Sequence, residues 1–420
     1  MKYTKTKKNG YTLHLIQTNK FKTIAIRANF RTPIREDLLT KRELLAGILS
    51  VSSKNYPTRR EFVMRKEELY QLGCRFSSYT SGNMLVFMAD LKFIHEKYTE
   101  EGMNHESLAF FLDTLMHPNI EKDAFNHDVF TLEKRNYLEF LEGKNDNPNR
   151  YASWKLDTLR GRGTPLSFDA SGEEAILKDL DEKELYHVYK DMLTKDALDI
   201  FVIGDITKED IEPLLDSYFQ ERKNEEEQLD HFLPYPKGEP ITLKEESTFT
   251  QSKLKMGYYI ENMTPFERHY VLRVYNFLLG GSSDSLLFRV VREENSLCYD
   301  IHSTSAPLYD MLTIHAGIEA KDYEKTVSLV QESIQKMREG NFTEEELEKV
   351  KLNYKTSYEE IVDSQSSILG LYESHVYLNY ELLEQRIEAM STVTKDMVVS
   401  LANRVQLDVI YLLEGNGMNE

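Results

Sequence analysis

Alternation of apolar and polar side chains predicts strands at Met84 to Leu91, Cys298 to Thr304 and Met311 to Ile318. Apolar residues at helical spacing predict helices over Leu108 to Met116, Lys208 to Phe219 and Tyr323 to Met337. Leu44, Leu45, Ile48, Leu49 and Val51 give a further helix, starting near Thr40, one apolar face. The most informative stretch runs from Gly280 to Thr304. Gly280 and Gly281 loosen the backbone ahead of Ser282, Ser283 and Asp284, any of which suits a helix cap. Leu286, Leu287, Val290 and Val291 then form the apolar stripe of a short helix and leave Arg289, Arg292, Glu293 and Glu294 nearer its rim. Asn295 and Ser296 stop it. In the strand beyond, alternation puts Tyr299, Ile301 and Ser303 on one face and Cys298, Asp300 and His302 on the other. Arg292 and Tyr299 thereby converge.

The same order of elements occurs twice. At a shift of roughly 222 residues, His117 to Phe125 lies over Glu339 to Leu347, and both open a long charged helix. Leu72 to Phe76 similarly meets Ser296 to Asp300, and Thr194 to Asp205 echoes Thr394 to Asp396 with Leu407 to Gly415. Between the halves runs a charged stretch punctuated by Pro234, Pro236, Gly238 and Pro240. The expectation is two α+β domains of like design, over residues 1–219 and 246–420, with a linker over 220–245.

Composition narrows the function classes. A chain of 420 residues that is 40% hydrophobic has enough apolar surface for such cores. A net charge of -18 argues against nucleic acid as a partner, since a phosphate backbone calls for a basic surface. No stretch approaches the roughly 18 apolar residues of a membrane span, and Met1 to Gly10 has no apolar run behind it, so a cytoplasmic location without a membrane partner is expected. Cys74 and Cys298, the two cysteines present, are too few for a disulfide framework.

Arg292 and Tyr299 are the candidate catalytic residues. An arginine fork and a phenol hydroxyl together can hold a peptide carbonyl and support a developing oxyanion. With 25 tyrosines in the chain, an arginine seven residues before one of them is also common by chance. His302 and His315 can face each other across a hairpin turning near Ala306 and Pro307, but no third ligand is evident and packing is the simpler role. No Gly-x-Ser-x-Gly turn and no phosphate-cradling glycine loop occurs.

The serine-rich helix start, Arg292-Glu293 and Leu297-Cys298-Tyr299 together resemble the C-terminal-domain motif of the M16 (pitrilysin or insulinase-type) metallopeptidases, with Leu286 where that family often has arginine. The duplicated halves and central linker resemble that family's smaller two-domain subunits over essentially the whole chain. The resemblance implies two homologous domains, each an antiparallel sheet backed by helices. It also implies a zinc site in the first half, built on His-x-x-Glu-His, which this chain lacks: no two of its 11 histidines lie four apart. Lys54 to Thr58 resembles the segment just C-terminal to that motif in active members, and aligning the two puts Glu43, Ala46 and Gly47 at the motif's first histidine, glutamate and second histidine. The family's third ligand precedes an Asn-Asp-Asn-Pro-like turn, here Asn145 to Pro148, which places Glu139 near it.

A lone carboxylate does not hold zinc. By resemblance, the chain is therefore expected to bind no metal and to serve as the non-catalytic subunit of a heterodimeric peptide-processing peptidase. Arg292 and Tyr299 would act on a peptide substrate while a zinc-bearing sister subunit supplies metal and general base. A structural or assembly protein, or a peptide-binding module, is the alternative.

Overall fold

The structure, a computed structural model, describes residues 1–219, 222, 229–233 and 235–416. Most of the charged part of the expected linker lies outside the described residues. The chain forms two compact units. The first comprises Met1–Glu142, Asp169–Asp230 and Asp363–Gly370, the second Gly143–Phe168, His231–Val362 and Leu371–Glu420. Each unit thus takes one short segment from the stretch of sequence that mainly builds the other.

Six strands form the sheet of the first unit: β1 (Lys2–Lys7), β2 (Thr12–Gln17), β3 (Thr23–Pro33), β4 (Gly73–Ser81), β5 (Met84–Ile94) and β6 (Ala197–Gly204). Their order is β1-β2-β6-β3-β5-β4. All neighbours are antiparallel except β2 and β6. Alternation along β3 buries Ile24, Ile26, Ala28 and Phe30 in a core completed by Leu44, Leu45, Ile48 and Leu49 of helix α1 (Glu36–Leu49). Helix α2 (His127–Glu142) packs beside α1 and adds Phe130, Tyr137 and Leu141.

The second unit repeats this plan with β7 (Ile241–Glu246), β8 (Ser252–Ile260), β9 (Cys298–Ala306), β10 (Met311–Ile318) and β11 (Val405–Glu414). The order is β9-β10-β8-β11-β7, and β11 and β7 are the parallel pair. With β1 set aside, the two sheets have one topology: in each, the last strand lies between the first strand, to which it is parallel, and the second. The expected class, two α+β domains of like design with sheets backed by helices, is what the chain adopts, and each sheet adds one parallel pair to the expected antiparallel arrangement.

One face of the second sheet carries Leu254, Met256, Ile301, Leu312 and Ile314 into a core under the helices Leu272–Leu279, Tyr323–Arg338 and Lys395–Ala402. Part of its other face is covered by helix α3 (Pro148–Gly161), whose Ala152 and Leu156 pack on Val409, Tyr411 and Leu413. The Asn-Asp-Asn-Pro turn starts this helix. The Asn147 side chain accepts from the N–H groups of Asn149 (3.0 Å) and Arg150 (3.1 Å), and Pro148 occupies the first turn, where its missing N–H costs nothing.

Candidate functional site

The helix predicted over Leu286 to Glu294 forms, and Leu286, Leu287, Val290 and Val291 are buried. From Phe288 to Glu294 it is wound as a π-helix, the wide form that concentrates at functional sites. The expected caps are otherwise engaged or displaced: Asp284 pairs with Lys349 instead. At the far end, Ser296 takes a left-handed conformation (φ 53°), and Leu297 N–H reaches back to Val291 C=O at 3.1 Å. Asn295 Nδ2 donates to Val290 C=O at 2.8 Å, so both stop residues have defined roles.

Strand β9 departs from simple alternation at its first residues. Cys298 pairs with Ile318 and Asp300 with the adjacent Gly317, so Tyr299 is the extra residue of a β-bulge. Ile301 and Ser303 do point into the core, but Tyr299 does not share their face as the alternation implies. The bulge turns it outward, and it is 85% exposed, the most exposed of the large apolar and aromatic side chains among the described residues.

Arg292 and Tyr299 line one open groove of about 1060 Å³, together with Gln251, Cys298, Gly317 and Glu319. The Arg292 guanidinium lies over the Phe288 ring, 4.6 Å from its centroid, and among the described residues pairs with no carboxylate. The groove's other cation, Lys321, is paired with Glu319 at 2.6 Å. Cys298 is no nucleophile: burial, and then Asp300, push its thiol up to about 11 against the pull of Arg292. A guanidinium without a paired carboxylate among the described residues and an exposed phenol are donors suited to carbonyl oxygens, in a groove that also carries Glu246, Asp322 and Glu414.

On the first unit, α1 keeps its apolar face but not a metal site. Glu43 is exposed and Ala46 is buried. The Glu43 carboxyl is raised above its ordinary pKa by its packing against β4, with the Ser78 backbone and Arg75 opposing. The carboxylate facing Gly47 belongs to Glu133, not Glu139: Glu133 Oε2 lies 3.7 Å from where a Cβ on Gly47 would stand. Glu139 is on the solvent side of α2, beside Arg135. The signal that could have pointed to Glu133 is its position one turn before the buried Tyr137. A donor set of two carboxylates with alanine and glycine does not fit zinc, and among the described residues no group of three potential ligands occurs.

His302 and His315 are direct partners across β9 and β10, with stacked rings 4.8 Å apart. Their neighbours are Lys255, Thr304 and, 3.4 Å from His302 Nδ1, Asp300, and among the described residues these form no group of three ligands able to hold a metal.

Residues 179–354 match the family model described as Peptidase M16 inactive domain. The chain is 27% identical to a Bacillus subtilis (strain 168) protein named probable inactive metalloprotease YmfF, over 98% of this chain and 97% of that one. A second protein of that organism, named uncharacterized zinc protease YmxG, is 26% identical over 81% of this chain and 80% of its own. A conserved protein from Enterococcus faecalis V583 has a similar structure, with a TM-score of 0.93 at 26% identity and 100% of both chains covered. A peptidase M16 inactive domain from Pseudomonas fluorescens shares the fold, with a TM-score of 0.81 at 17% identity over 100% of this chain and 99% of that one. Among the described residues no helix is long and apolar enough to cross a membrane. With its duplicated sheets, an α1 without histidines and these likenesses, the chain is similar over its whole length to a protein named an inactive metalloprotease, and over residues 179–354 to the Peptidase M16 inactive domain.

Proposed function

We propose that this chain is the metal-less subunit of a two-chain M16-type peptidase, contributing Arg292 and Tyr299 to a peptide held against a zinc-bearing sister subunit. The observation that carries this reading is the bulge at Tyr299. It lifts a phenol out of the core face into the groove that also holds an unpaired Arg292. A tyrosine kept only for packing would follow the alternation inward, as Ile301 does.

In this reading the sister subunit provides the metal and the general base. Tyr299 donates its O–H to the oxygen on which negative charge develops, and Arg292 donates to a neighbouring peptide carbonyl and fixes the register of the substrate. Both roles need donors with no prior acceptor, which is how the side chains stand in the groove.

The test is reconstitution with an M16 protein of the same genome that has an intact His-x-x-Glu-His. The mixture should form a stable one-to-one complex that cleaves peptides, while this chain alone is zinc-free and inactive. Tyr299→Phe should lower kcat of the pair by about a hundredfold with little change in KM. A fully active Tyr299→Phe pair sinks the oxyanion role. Tight peptide binding by the isolated chain, with no faster cleavage on adding the sister subunit, would instead identify a peptide-binding module.

A further inference from the structure

Asn295 is not among the described residues that line the groove, yet its side chain seals the helix that carries Arg292 into it. From Phe288 to Glu294 that helix has π winding, in which each bond spans five residues where an α-helix spans four. Leu286 and Leu287 fix its start in the core, and Leu297, also buried, fixes the chain beyond its end. Between these anchors the winding decides where Arg292 points. Taking up the extra residue, as α winding would, carries Arg292 round the axis by roughly 100° relative to Leu286 and Leu287. That rotation takes it out of the groove.

The π form is rare, so a particular interaction must favour it here. Its bonding rule assigns Val290 C=O to residue 295, five positions on. Asn295 meets that carbonyl with its side-chain Nδ2 at 2.8 Å, while its own N–H goes to Arg292 C=O. One residue thus clips the carbonyls of Val290 and Arg292 together. Ser296 N–H also reaches Arg292 C=O, at 3.1 Å, and Leu297 N–H takes Val291 C=O, six residues back, at 3.1 Å. Ser296 is left-handed (φ 53°), a conformation unfavourable for a residue with a Cβ, so the backbone alone does not favour this exit. An α-helical end would give Val290 C=O to the N–H of Glu294 and leave the Asn295 amide without its acceptor.

We propose that Asn295 is a positioning residue: its amide holds the wide turn and thereby aims Arg292 into the groove beside Tyr299. This rests on the peptidase reading above and adds to it a residue that acts through Arg292 and touches no substrate.

The experiment measures kcat/KM of the full chain, reconstituted with its zinc-bearing sister subunit, for Asn295→Leu, Arg292→Gln and the double variant, each corrected for the folded fraction. Leucine keeps the shape of asparagine and lacks the donor. Asn295→Leu should lower kcat/KM by at least about tenfold in the unaltered chain. In the Arg292→Gln background it should lower it by less than about twofold, because the turn then has no guanidinium to aim. Asn295→His, whose Nδ1 stands as many bonds from the backbone as the asparagine Nδ2 and can carry a proton, should restore most of the activity. Full activity of Asn295→Leu overturns the proposal, as does an equal loss in both backgrounds, which marks a merely structural residue. A His variant no better than the Leu variant overturns the role of the donor. If Asn295→Leu does not fold, Ser296→Gly is added to every chain compared, since glycine takes the left-handed turn without strain, and the same outcomes decide. An inactive unaltered pair fails the peptidase reading instead. The positioning claim is then decided by crystal structures of the unaltered and Asn295→Leu chains: Arg292 turned out of the groove supports it, and Arg292 unmoved overturns it.

Discussion

A one-residue irregularity decides what Tyr299 is available to do. In regular alternation it would share the face of Ile301, which is 3% exposed, and fill space under the helices. The bulge puts it in water instead, so stability and function separate between residues two apart. Tyr299→Ala should change unfolding free energy by no more than about 0.5 kcal/mol. Ile301→Ala should cost about 2–5 kcal/mol through lost burial and the cavity left behind. Urea unfolding of both variants measures this; a Tyr299→Ala chain as damaged as Ile301→Ala would mean that the tyrosine is structural. The sequence made Arg292 and Tyr299 legible as a pair, through their spacing and their likeness to a motif. It could not show the bulge, because an inserted strand residue leaves no apolar signature and is visible only when paired positions are counted against the neighbouring strand.

Elements survive the loss of their chemistry when packing, not chemistry, holds them. Helix α1 is anchored by Leu44, Leu45, Ile48 and Leu49 and by a buried ion pair, Arg42 with Asp196 at 2.9 Å, none of which depends on a metal. Its apolar face was therefore readable at three-and-four spacing even though the histidines are gone. Counting back from the Asn-Asp-Asn-Pro turn leads to Glu139, which is exposed, whereas the carboxylate that faces Gly47 is set by how α1 and α2 pack and is that of Glu133. That packing makes a sharp prediction. In the triple variant Glu43→His, Ala46→Glu, Gly47→His, Glu133 stands ready as the remaining ligand, and the chain should gain stoichiometric zinc by elemental analysis. Adding Glu133→Gln should abolish that binding, while adding Glu139→Gln should leave it intact. The reverse outcome would restore the original assignment of Glu139.

Across the whole molecule, the duplication was legible because the two sheets repeat one topology, and strand order follows the order of alternating and helical segments in each half. The trading of short segments between units was not legible, since helical periodicity records that α3 has an apolar face but not which sheet receives it. Its consequence is testable. A fragment of residues 231–416 contains every strand of the second sheet but lacks α3. It would expose Val409, Tyr411 and Leu413, which are at most 1% exposed in the intact chain, and would lose the bonds from Arg160 to Thr313 and from Arg162 to Asp408. Burial of Leu156 and its neighbours contributes about 1.5–3 kcal/mol per large side chain, and each hydrogen bond about 1 kcal/mol. Joining residues 143–168 to the fragment through a flexible linker should therefore stabilise it by about 5 kcal/mol, read from urea unfolding of the two fragments side by side. Leu156→Asp in the joined segment should remove most of that gain, because it replaces the apolar side chain that packs on Val409 and Tyr411 with a charge that burial would strip of water. Equal stability of the fragments with and without residues 143–168 would show that the sheet does not need α3, and that the second unit folds from the C-terminal half of the sequence alone.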